Sequence, residues 1–68
     1  MMTSEGIRDL IIYELGIVPK SVAVEGNGFP VKVSVVFEEA DLTKAGGADR
    51  VMRKLSDAIP ATIAVKEV

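Results

Sequence analysis

Cysteine and histidine are both missing from this 68-residue chain. Their absence excludes disulfide staples, zinc-finger and iron–sulfur ligation, and the side chain that most often serves as a general base. Charge of one sign is also lacking. The formal net charge of −2 is too slight to steer a partner and is not the basic footprint of a nucleic-acid binder. No apolar run approaches the length of a membrane span, and the termini carry no signal-peptide pattern, so the expected setting is the cytoplasm and not a membrane. Catalytic motifs, metal-ligand sets and cofactor fingerprints are absent as well. The expectation is a non-enzyme with no catalytic residue, no cofactor, no metal and no small-molecule substrate.

What the chain does have is apolar surface. Hydrophobic residues make up 49% of it, in a domain so small that folding buries only about 60% of the unfolded chain's surface. Small cores are reinforced by disulfides, a metal or self-association, and the first two are excluded. Self-association therefore remains, and a homo-oligomer or a protein partner is expected.

The order of punctuation along the chain outlines its elements. Thr3 or Ser4 can cap a first helix, with Glu5 in its first turn where the helix dipole favours an anion. Ile7, Leu10, Ile11 and Leu15 form its stripe, while Ile12 and Tyr13 fall off the stripe and make the helix apolar on more than one side. Gly16 supplies a left-handed stop, Ile17 can fold back, and Pro19 forbids continuation. Lys20 to Glu25 alternates, with Val22 and Val24 on one face. Gly26-Asn27-Gly28 suits a hairpin turn and Pro30 marks an edge or a first strand position. Val31, Val33, Val35 and Phe37 then share a face opposite Lys32, Ser34 and Glu38, and Val36 breaks the outer alternation. This β-branched, nearly uncharged run would pair with another chain if it were an edge.

Glu39 to Gly47 reads equally as a loop or as a single helical turn capped by Asp41 and ended by Gly46. A second helix begins at Ala48, with Ala48, Val51, Met52, Leu55 and Ile59 as its stripe and Pro60 as its stop. Ala61 to Val68 is the last strand, with Ile63 and Val65 inward. Burying each apolar face yields one domain over residues 1–68, an α+β two-layer sandwich in the order α-β-β-α-β. Its three-stranded sheet carries two helices on one face, with a right-handed crossover. Ala23, Val36 and Ala64 then fall on the outer face of the sheet. Tyr13, Phe29 and Val36 are the candidate protein-contact residues.

Two charge clusters stand out. Glu38, Glu39 and Asp41 follow the second strand, in a spacing that fits no calcium loop. Lys44, Arg50, Arg53 and Lys54 are four of the eight basic residues. With Gly46 and Gly47 they surround a helix start, where free amides and the dipole attract anions. These six are the candidate anion or nucleic-acid contacts.

Laid out in this way, the chain resembles a type II KH domain, the nucleic-acid module of small-subunit ribosomal proteins. That family runs helix, strand, strand, helix, a G-x-x-G loop, helix, strand. The best local match is Leu42-Thr43-Lys44-Ala45-Gly46-Gly47-Ala48-Asp49, and the resemblance implies an RNA-binding loop there. The chain departs from the motif in having Lys44 where the first loop glycine belongs, so an ammonium replaces a site of close backbone approach. No aromatic lies in the loop to stack a base. BON domains and the scaffold domain of iron–sulfur cluster assembly proteins share the coarse order without the short extra helix, and the scaffold's cysteine pair has no counterpart here. The expected function is therefore a small interaction or assembly module, with RNA binding as the alternative.

Overall fold

The computed structural model describes residues 3–26 and 31–68. The elements are α1 (Ser4–Leu15), β1 (Ser21–Glu25), β2 (Lys32–Phe37), α2 (Glu39–Lys44), α3 (Ala48–Ala58) and β3 (Thr62–Glu67). The α+β class and the layered arrangement are as expected, with α2 resolving the open choice at Glu39 to Gly47 in favour of a helix. It begins one residue after Glu38, which makes no side-chain cap bond. Asp41 lies inside its first turn and is not the cap that the sequence suggested.

Local chemistry sets the ends of α1. The Thr3 Oγ1 accepts a hydrogen bond from the Gly6 amide at 3.0 Å, satisfying one of the free donors at a helix start. At the other end Gly16 adopts φ 71° and its amide donates to the Ile12 carbonyl at 2.8 Å. A residue with a Cβ is disfavoured in that left-handed conformation. Ile17 then turns back into the core.

β2 is the central strand, antiparallel to β1 and parallel to β3. Its valine-rich run is thus paired on both sides, and the edges of the sheet are β1 and β3. The register builds two complete inner rows, Val22–Val35–Val65 and Val24–Val33–Ile63. Val33, Val35 and Phe37 are fully buried there beneath Ile7, Ile11, Leu42, Val51, Leu55 and Ile59. Each such side chain contributes about 1.5–3 kcal/mol on burial, and together they hold all three helices to one side of the sheet.

One expectation about the helices needs correction. Of the stripe assigned to the second helix, Val51, Leu55 and Ile59 are buried, but Ala48 is exposed and Met52 is 40% exposed. α3 packs on a narrower face than its apolar spacing implied. The accessible surface of 4524 Å² is about a tenth above the ~4,100 Å² typical of a folded chain of this mass. Among the described residues, the large hydrophobics left exposed are Tyr13, Val18, Met52 and Val68. No helix among the described residues is long and apolar enough to cross a membrane.

Candidate functional site

The basic cluster is assembled by the turn between α2 and α3. The Gly46 amide donates to the Thr43 carbonyl at 3.1 Å and the Gly47 amide to the Leu42 carbonyl at 2.8 Å. This is the paired bonding of a Schellman stop, which needs a positive φ at its turning residue. Gly46 and Gly47 both have φ 100°. A Cβ on Gly46 would also fall 2.5 Å from Cδ of Arg50, so the arginine's aliphatic stem lies over the turn. α3 then starts on Gly47 with no side-chain cap, leaving its first amides without a side-chain acceptor.

Helical spacing completes the group. Gly46, Asp49, Arg50, Arg53, Lys54 and Asp57 line one open hollow of about 450 Å³. Of the six candidate contacts, the structure brings Gly46, Arg50, Arg53 and Lys54 together, while Lys44 and Gly47 stand outside the hollow. Asp57 was missed, although it follows Arg53 by four residues and so shares its face. None of these charged groups forms an ion pair among the described residues, where the Lys20–Glu38 contact at 3.6 Å is the only one. Three cations against two carboxylates make the hollow only mildly attractive to an anion.

The acidic cluster is dispersed by the fold. Glu38 pairs with Lys20, whereas Glu39 and Asp41 lie in the first turn of α2, where the helix dipole favours them. No group of acidic residues suited to a metal ion occurs among the described residues.

The protein-contact candidates fall in different places. Val36 is half-buried on the outer sheet face. The register there sets Ser21–Val36–Lys66, Ala23–Ser34–Ala64 and Glu25–Lys32–Thr62 in three rows of mostly small side chains. Tyr13 is 83% exposed on α1, making it a free aromatic and not a packed one. Phe29 lies outside the described residues, as do Asn27, Gly28 and Pro30 of the expected hairpin turn. Ile12 is half-buried and is not among the residues that pack on the core cluster. Its position off the stripe was legible from the spacing.

A separate apolar hollow of about 320 Å³ lies between the start of α1 and the end of α3, lined by residues such as Ile7, Leu10, Ile59 and Pro60.

Comparison with family models, with curated proteins and with solved structures finds no match to this chain.

Proposed function

We propose that this chain is a small non-enzymatic interaction or assembly module, cytoplasmic by default, acting through self-association or contact with another protein. The observation that carries this reading is the one-sidedness of the fold. All three helices cover the inner face of the sheet, so the outer face and both strand edges have no covering element among the described residues. Open edges are ready templates for pairing. Sedimentation velocity across a wide concentration range, together with a pull-down from the native source, tests it. A strict monomer that recovers no partner would retire the reading.

A second reading is favoured by a specific observation. α2 and its glycine stop complete the order α-β-β-α-α-β, the order that the KH-like resemblance implies and that the other two resembling families lack. RNA would then meet Gly46, Arg50, Arg53 and Lys54. Asp49 and Asp57 in the same hollow oppose it, which ranks it second. It requires a salt-sensitive mobility shift with single-stranded RNA that is lost when Arg50 and Lys54 are changed to Glu. No shift at low salt with the unaltered chain would eliminate it.

A further inference from the structure

We infer that the occupant of the β1 edge is a second copy of this chain, paired antiparallel about a two-fold axis at Ala23. This inference rests on the interaction-module reading and names its surface.

The backbone sets the register. The Thr62 amide donates to the Val31 carbonyl at 2.9 Å, and the Val68 amide to the Phe37 carbonyl at 3.0 Å. In a parallel ladder this phase turns the odd-numbered backbone groups of β2 toward β3 and the even-numbered ones toward β1. Ser21, Ala23 and Glu25 face Val36, Ser34 and Lys32 in the β1–β2 register, so they take up those even-numbered groups. The N–H and C=O of Val22 and Val24 consequently point away from the sheet. Two antiparallel β1 strands centred on Ala23 place Val22 opposite Val24 of the second copy, exchanging hydrogen bonds on either side of the axis. The valines meet on the helix side, and Ala23 meets its own counterpart on the outer side. The two Glu25 carboxylates are held about 14 Å apart by the length of the strands, each opposite a Ser21. No like charges are brought together.

The flank of α1 supplies the second observation. Ile7, Leu10 and Glu14 border hollows shared with the end of α3. Half a turn away on the same helix, Arg8, Ile12 and Leu15 therefore lie on the flank over the β1 edge. Ile12, half-buried and not among the residues that pack on the core cluster, lies on that flank, and Val22 and Val24 of β1 are likewise only half-buried. The β3 edge has one buried and one half-buried apolar residue, Ile63 and Val65, and ends in Lys66 and Glu67, the charges that natural edges use against pairing. The paired residues of β1 include no lysine or proline. The off-register bond from the Lys20 amide to the Val36 carbonyl at 2.7 Å, which sets Lys20 and Ser21 both opposite Val36, lies at the strand's start and outside the Val22–Val24 stretch.

Size sets the expected strength. β1 is about 17 Å long and the short axes of the molecule are 20 and 19 Å. The flank thus offers on the order of 400 Å² per copy, half the standard ~800 Å². An interface this small is in the weak, transient class, so the dimer is reversible.

Because the chain has no cysteine, single-cysteine variants report the axis directly. Ala23→Cys at about 200 µM should oxidise to a covalent dimer at least ~10-fold faster than Ala64→Cys, since non-hydrogen-bonded antiparallel partners lie about 4.5 Å apart at Cα. Ala64 marks both the β3 edge and the outer face. N-methylation of the Val24 amide in synthetic protein should slow that trapping about 10-fold or more by removing one bond from each copy. Ile12→Lys should slow it by a similar factor without touching the core. If Ala64→Cys is trapped as fast or faster, this inference is overturned while the interaction-module reading stands. If neither is trapped faster than in denaturant and the unaltered chain stays monomeric at about 500 µM, the β1 pairing is likewise overturned, and the pull-down alone decides the wider reading.

Discussion

α1 and α3 cover the same face of one sheet, yet they are specified in different ways. α1 is written locally: Thr3 caps its start, Gly16 turns its end, and its surface is mixed, with Ile12 half-buried and Tyr13 open to solvent. α3 begins on an uncapped glycine and owes its position to Val51 and Leu55, both fully buried. Its outward side is divided sharply from the core and carries Asp49, Arg50, Arg53, Lys54 and Asp57. Local signals can place a helix while leaving its surface free for contact. A helix without a cap must instead rely on packing, here that of Val51 and Leu55, while Met52 stays 40% exposed beside them.

The largest test of that contrast lies in the core. Ile11→Ala in α1 and Leu55→Ala in α3 should each cost about 2–5 kcal/mol, a large share of the ~5 kcal/mol at the low end for folded domains. Urea midpoints measure both. If locally specified α1 tolerates its truncation with less than ~1 kcal/mol of loss, its seal over the sheet is dispensable.

The glycine stops come next. Gly16→Ala pays only for its left-handed backbone, about 1–2 kcal/mol, because no atom lies within 4 Å of the added carbon. Gly46→Ala pays that and also displaces Arg50, so its loss should be larger and partly recovered in the Gly46→Ala/Arg50→Ala double variant. Equal losses at the two glycines would mean that the Arg50 stem is not held over the turn.

Thr3→Ala should cost about 1 kcal/mol and Thr3→Ser much less. Thermal melts showing no difference between these two variants would remove the cap from the account of α1. The smallest effect belongs to Glu38→Gln, which breaks the half-exposed contact with Lys20. A loss of about 0.2–1 kcal/mol is expected, shrinking in high salt. A salt-independent loss would assign Glu38 a role other than ion pairing.

Much of the fold was legible because its signals are short-range. Thr3, Gly16 and Pro19 obey rules that depend on neighbours a few residues away, and the alternation of Val33, Val35 and Phe37 is a property of one strand. Three features were not legible. α2 is six residues long, below the length at which periodicity separates a helical turn from a loop, and Gly46 serves as a stop for either. Met52 and Ala48 sit at the margin of a stripe whose used width depends on how α3 settles on β3. The edge hazard assigned to Val31–Phe37 disappeared because strand order is a long-range choice. In the candidate site, spacing alone gathers Arg50, Lys54 and Asp57 on α3, whereas the exclusion of Lys44 depends on the turn between α2 and α3.

The chain's own residues decided where helices begin and stop, which faces of the strands are apolar, and that no histidine or cysteine chemistry is on offer, since each of these follows from side-chain type and near-neighbour geometry. Tertiary structure alone decided that β2 lies between β1 and β3, and that only Val51, Leu55 and Ile59 of the second helix's stripe are buried against the sheet. Those outcomes depend on contacts between residues far apart in sequence, where the burial of whole faces outweighs any local preference.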